Sequence, residues 1–444
     1  MQPLRRFAPD RRRAGWPSCG PAAREGSAAV NHAFRFLHAS DFHLDRPPRG
    51  LAEVPDHLRR ALVDAPYRAA ERVFDAALKE RVDFVVLAGD LVDPLAAGPR
   101  GLVFLAEQFQ RVGQRGIKVY WSLGGSDDLD RIGDLGSLGD LGLAGDHLVR
   151  FPSHRVERVV HFRQGEPIAQ ILGSSSRERR KIRAADFRTD GTPLFALAVA
   201  YGSVDPETLG HSAVSFWALG GQHARRAVLT GPISAHYAGS PQGRRPAESG
   251  PHGCTLVDVD ETYHVRTSFI PTDSVRYQPE RVTVDESATL GQLHEVINQR
   301  IVELAGDPFG PDLLIDWTIA GSKTLAAALR QGKAAADLVA RLRAEHGQLR
   351  PAAWTFSLEP DAPADVPAEH YDEETALGEF LRTVQHYVEH ADDPLDLEPF
   401  LAQRHASGHL GAAVALDDVD QRRRVLAEVA HLGVELLGPQ ESRP

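Results

Sequence analysis

The sequence predicts a layered α/β protein: two β-sheets stacked face to face with helices outside them, then a small second domain and terminal helices. Three observations carry this prediction. Strand and helix patterns alternate from Phe34 to about Gly124; strand patterns follow one another from about Arg155 to Pro271; and helices return near Pro279. A chain of 444 residues exceeds one compact core, at roughly 150 residues per domain. The composition shifts divide it into an Arg-rich arm (1–33), the sandwich domain (34–278), a small α/β domain (279–360), and an acidic linker with C-terminal helices (361–444).

Element by element, "FRFLHAS" reads as a strand, "DHLRRALVDAPYRAAERVFDAALKER" carries helical periodicity, and "VDFVVLAG" is a continuous apolar run of the buried-strand kind. "RGLVFLAEQFQRVGQRG" is a helix and "IKVYWSLG" a strand. The Gly/Asp-rich "GSDDLDRIGDLGSLGDLGLAGD" reads as an irregular surface loop. The strand patterns "RVERVVHF", "PIAQILGSS", "LFALAVAYG", "AVSFWALGG", "RAVLTGP", "CTLVDVD" and "YHVRTSFIP" come next and form a sheet on the first sheet, which with helices outside gives four layers. Beyond them, "TLGQLHEVINQRIVELAG", "DLLIDWTIAGS" and "TLAAALRQGKAAADLVARLRAEHG" read as helix, strand and helix. The linker "SLEPDAPADVPAEHYDEET" leads to two amphipathic stretches, "ETALGEFLRTVQHYVEH" and "DVDQRRRVLAEVAHLGVELLG".

Composition excludes several classes. The two cysteines, Cys19 and Cys254, make no disulfide framework and no Cys-rich zinc motif, which points to a reducing, cytoplasmic setting. No apolar run approaches the ~18 residues of a membrane span, and the arm, with six arginines and no apolar core, lacks a secretory signal's pattern. A net charge of −11 argues against a surface that grips nucleic acid all over, and leaves local basic clusters such as "RERRKIR", Arg177 to Arg183.

Four strand ends deposit polar residues in chain order. In "ASDFHLD", Asp41 and His43 are two apart, so on an extended strand both face one side while Phe42 turns to the core; a carboxylate with an imidazole is a chelating pair. In "VVLAGDLVD", Asp90 leaves a buried strand after Gly89, and reads equally as a cation ligand or as the cap of the next helix. "KVYWSLGGSDDLDR" runs off its strand into glycines and carboxylates, and "FWALGGQHARR" places His223 beside two arginines.

Together "FRFLHASDFHLD", "VDFVVLAGDLVD", "VYWSLGGSDD", "LAVAYG", "FWALGGQH" and "GSPQGRRPAESGPHG" resemble the calcineurin-like metallophosphoesterases, and within them the DNA repair exonucleases of the SbcD and YhaO type. The resemblance covers about Phe34 to Thr272. It implies an αββα metallophosphoesterase sandwich with a cap domain, and two divalent metals, usually manganese, roughly 3.5–4 Å apart. The ligands it implies for the first metal are Asp41, His43, Asp90 as a bridge, and His223. For the second metal, the family's Asn, His and His positions hold Gly125 or Ser126, Tyr201, and Gly221. The family's catalytic histidine falls on Ser126 or Asp127.

The expectation is therefore one retained cation, manganese, with the second metal lost unless Asp127, Asp128 or Asp130 rebuild it. Tyr201 reads either as a core residue or as a donor to a phosphate oxygen. The implied activity is metal-dependent hydrolysis of phosphodiesters at DNA ends, or, without turnover, a scaffold that binds ends or a partner. The implied partners are DNA, bound independently of sequence through "RERRKIR", Arg225, Arg226, Arg244 and Arg245, and an SMC-type coiled-coil ATPase docked on the C-terminal helices. A homodimer stays open, and no membrane is involved.

Overall fold

Phe34, Phe36 and Leu37 give the first strand, β1 (Phe34–Ala39), its apolar character, and the computed structural model pairs it in parallel with β2 (Phe84–Ala88), which continues in parallel to β3 (Lys118–Ser122) and β4 (Leu148–Arg150). The structure describes residues 31–51, 54–129, 143–176, 178, 181–330, 332–361, 366–390 and 419–437. The first 30 residues of the arm, Asp130, and Arg177, Arg179 and Arg180 of the basic cluster lie outside the described residues.

Two antiparallel strands, β11 (Gly253–Val259) and β12 (Val265–Pro271), extend the first sheet from the other side of β1, giving the order β12-β11-β1-β2-β3-β4. The second sheet has the order β5-β6-β7-β8-β10-β9. Its strands are β5 (Glu157–Arg163), β6 (Glu166–Ser174), β7 (Phe195–Tyr201), β8 (Phe216–Gly220), β9 (Arg226–Leu229) and β10 (Ser234–Tyr237). β6, β7, β8 and β10 run parallel, with antiparallel partners at both edges.

The core between the sheets interleaves Phe34, Phe36, Phe84, Val86 and Tyr120 of one with Ile168, Ile171, Phe195, Leu197, Val199 and Phe216 of the other. Phe36 stacks on Phe84 at 5.1 Å and meets Phe216 edge-on at 5.5 Å, the offset and perpendicular arrangements that aromatic quadrupoles favour. On the outer face of the first sheet, Phe74 of α1 (Asp56–Lys79) meets Phe109 of α2 (Pro94–Gly113), which packs on Trp121. The outer face of the second sheet is covered differently from the long helices of the first. Trp217, Ala198 and Tyr237 are sheltered by Phe187 beside a 3₁₀ turn (Ala184–Asp186), and by Leu209 of the one-turn helix α3 (Pro206–Gly210).

The chain divides into two compact units: residues up to 45, 70–241 and 253–271 form the first, and 46–69, 242–252 and the residues from 272 onward the second. The second is built on three parallel strands, β13 (Val275–Thr283), β14 (Asp312–Ala320) and β15 (Ala353–Pro360). Alternate residues of β14, Leu313, Ile315, Trp317 and Ile319, face a cluster with Leu293 and Ile297 of α4 (Leu290–Leu304), Leu325 of α5 (Lys323–Arg330) and Leu342 of α6 (Lys333–His346). Thr289 and Gln292 close α4 with a reciprocal capping box. The single helical run expected across α5 and α6 is broken between Arg330 and Lys333. After the four-residue α7 (Ala368–Tyr371), α8 (Ala376–Glu389) and α9 (Val419–Leu437) pair through Leu377, Leu381, Val384, Leu426 and Ala430. No helix among the described residues is long and apolar enough to cross a membrane.

Candidate metal centre

Asp41, His43 and His223 converge: one ligand atom from each lies within 4.8 Å of the others. Asp90 is beside them, with Oδ2 3.9 Å from His43 Nε2. Asp41 and His43 follow the end of β1, Asp90 follows β2, and His223 follows β8, so neighbouring parallel strands and the facing sheet deliver all four to one edge of the first unit.

The way Asp41 and His43 come to face one side differs from the strand alternation expected of them. β1 stops at Ala39, and Asp41 (φ 56°) and His43 (φ 46°) both take the left-handed backbone region. Their amides are pinned to the neighbouring loop, Asp41 N–H donating to Gly89 O at 2.8 Å and His43 N–H to Asp90 O at 3.0 Å. Phe42 does turn inward, 2% exposed and edge-on to Phe74 at 6.1 Å.

Asp41 is fully buried and accepts from Ser40 Oγ at 2.6 Å and from the Gly221 amide at 3.0 Å. Burial pushes its carboxyl up to about 6, and the neighbouring charge of Asp90 adds to this against those hydrogen bonds. A carboxylate so placed is expensive without a cation, which is the condition a metal relieves. His43 and His223 stand ring edge to ring face, 5.2 Å apart.

Asp90 also sits at positive φ (55°) and does not cap α2. That task falls to Asp93, whose side chain accepts from the amides of Leu95 and Ala96. Asp90 is instead gripped from three directions. Its Oδ1 accepts from the Ser126 amide at 2.7 Å and Ser126 Oγ at 3.0 Å, and its Oδ2 accepts from Tyr201 Oη at 2.8 Å. Tyr201 is 8% exposed, and its hydroxyl donates to the Asp90 carboxylate. Sequence reasoning missed the Ser126 contact, for which an isolated serine between glycine and aspartate gives no signal.

Asp127, a candidate for a rebuilt second site, is otherwise engaged. Its Oδ1 accepts from the amides of Leu91 and Val92 at 2.8 and 2.9 Å, and its Oδ2 from the Gly124 amide at 2.8 Å. It ties the loop after β3 to the loop after β2 from inside the protein. Burial pushes it up to about 7, aided by the charge of Asp90 and opposed by the three amides.

Of the basic groups named from the sequence, Arg244 is buried with its guanidinium 3.7 Å from Glu248, which Arg245 also contacts. The Arg245 side chain is 57% exposed in this pair. In the first unit Arg225 and Arg226 are exposed, Arg225 resting on Phe269 and Arg226 on Tyr237. Lys181 pairs with Asp205.

Residues 34–171 match the family model described as calcineurin-like phosphoesterase. A protein of Bacillus subtilis (strain 168), described as the uncharacterized metallophosphoesterase YhaO, is 28% identical over 299 residues, covering 64% of this chain and 72% of that one. Among solved structures, a dimetal phosphatase from Danio rerio aligns over 54% of this chain and 99% of its own, at 10% identity and a TM-score of 0.34. The E. coli phosphoesterase Yfce aligns over 53% and 99%, at 12% identity and a TM-score of 0.24.

Proposed function

We propose that this calcineurin-like metallophosphoesterase, a distant homologue of the Bacillus protein, hydrolyses phosphodiesters at DNA ends with a single manganese ion held by Asp41, His43, Asp90 and His223. The observation that carries the reading is the meeting of one buried carboxylate and two imidazoles within 4.8 Å, beside a second carboxylate. This donor set fits a divalent cation that takes mixed nitrogen and oxygen ligands.

Such a cation supplies Lewis-acid polarisation of a phosphoryl oxygen and lowers the pKa of a bound water. The chain's own contribution is to hold the donors. Ser40 and the Gly221 amide orient the Asp41 carboxylate, and Ser126 and Tyr201 orient that of Asp90. Arg225 and Arg226, exposed close in sequence to His223, are the charges in the first unit best suited to neutralise DNA phosphates without reading bases. The helix pair α8 and α9 is the proposed dock for an SMC-type coiled-coil ATPase, since α9 keeps Leu432, Leu436 and Leu437 between 48% and 69% exposed.

Degradation of end-labelled DNA in manganese tests the activity, with Asp90→Asn as the control. The expected result is slow degradation by the native chain that the control abolishes. Equal behaviour of the two proteins refutes hydrolysis at this centre and favours the non-catalytic scaffold.

A further inference from the structure

The Asp90 carboxylate offers about four lone-pair positions, two on each oxygen. Oδ1 spends both, on the amide and the hydroxyl of Ser126. Oδ2 spends one on Tyr201 Oη, and Oδ2 is the oxygen that lies 3.9 Å from His43 Nε2. What is left of Asp90 is one lone pair, on the oxygen that lies 3.9 Å from His43 Nε2.

The donors are themselves held fast. Tyr201 is 8% exposed, and its ring is wedged between two backbone positions that have no side chain. A Cβ on Gly89 would stand 2.8 Å from Tyr201 Cδ2, and one on Gly221 3.1 Å from its Cε2, so the ring occupies the space those side chains would fill. The phenol has no room to swing away from Asp90. Ser126 is fixed by donating through its amide as well as its hydroxyl to the same oxygen.

Resting on the metal-centre reading above, we propose that Tyr201 and Ser126 are positioning residues that present Asp90 as a one-oxygen ligand to a single cation. In the same act they consume the lone pairs through which Asp90 would bridge to a second. A second metal would then be disfavoured by filled acceptor sites, and not only by missing ligands. A phenol and a serine stand where a neighbouring cation's pull on the carboxylate would otherwise act.

Calorimetric titration of the metal-free full chain with Mn²⁺ tests this, using Tyr201→Phe, Ser126→Ala, Ser126→Thr and Asp41→Asn. Tyr201→Phe keeps the ring in its slot and removes only the hydroxyl. One ion per native chain is expected, with affinity falling roughly 10- to 100-fold in Tyr201→Phe, a smaller loss in Ser126→Ala, and near-native affinity restored in Ser126→Thr. Thermal unfolding of each metal-free variant separates positioning from mere packing, because a purely structural role lowers that midpoint and leaves Mn²⁺ affinity alone.

Two ions per native chain, or Tyr201→Phe binding within about twofold of native, overturns the proposal. If the native chain binds Mn²⁺ and Asp41→Asn does not, yet Tyr201→Phe matches native, the metal centre stands and only the positioning role fails. A native chain that takes up no Mn²⁺ removes both.

Discussion

Acidification from near pH 7 to near pH 5 should weaken the first unit by about 2 kcal/mol through His38 alone. His38 is fully buried near the end of β1, edge-on to Phe216 at 6.3 Å, while His236 stacks on the same aromatic ring at 5.5 Å. Burial, and secondarily the positive charge of a protonated His236, push His38 down to about 3 from its ordinary 6.5. The unfolded chain therefore takes up a proton below 6.5 that the folded chain refuses until about 3. The neutral ring's stability is fully present above 6.5 and drains away as pH falls toward 3. At about 1.4 kcal/mol per pH unit, the interval from 6.5 to near pH 5 gives the 2 kcal/mol. Other groups titrate in the same range. His236 and His161 are both pushed down to about 4 by burial, while Asp41 and Asp127 are pushed up and act with the opposite sign. A comparison with His38→Leu, of similar volume, cancels them. Urea unfolding followed by circular dichroism, in chelator at both pH values, should show the native chain losing about 2 kcal/mol more than the variant. A difference between the two proteins that stays constant within about 0.5 kcal/mol refutes the reasoning.

Two further outcomes are expected. Asp127→Ala strips the acceptor from the buried amides of Leu91, Val92 and Gly124, so it should destabilise the first unit by roughly 3 kcal/mol, about one per orphaned N–H, in the same unfolding measurement; a variant as stable as native would show that water replaces the carboxylate. Truncation after Pro360 removes the paired helices α8 and α9 and should abolish co-purification with a coiled-coil ATPase, whereas retained binding by the shortened chain places the dock elsewhere.

The central strands of both sheets were legible because they are buried on both faces and read as unbroken apolar runs. The runs "VDFVVLAG" and "LFALAVAYG" contain β2 and β7, each fully buried, and extend one or two residues beyond them. Two short strands were not legible: β4, a three-residue edge strand, and β10, "SAHY", between β8 and β9, carry too little pattern to stand out from loop. The strands β13 and β15 hid among charged residues, because in a small three-stranded sheet the faces alternate and "VRYQPERVT" shows little of it. Nothing local in residues 46–69 or 242–252 signals that they join the second unit, since that depends on long-range packing of Leu58, Leu62 and Tyr277.

At the centre, the types and order of Asp41, His43, Asp90 and His223 were visible as residues at strand ends, but the backbone that aims them was not. Asp and His are tolerated at positive φ without announcing it. The donors to Asp90 were hidden for a different reason: Ser126 and Tyr201 are 75 residues apart in sequence and meet only through tertiary structure.

The left-handed backbone at Asp41, His43 and Asp90 bears on how this centre ages. Each is a position where glycine would sit more comfortably, and each non-glycine residue held there costs of order 1 kcal/mol. A lineage selected only to stay folded would be expected to drift toward glycine or asparagine at all three. The liganding residues are thus the least durable letters in the sequence once binding ceases to matter. Their simultaneous presence at three strained backbone positions is what selection for the proposed bound ion would maintain.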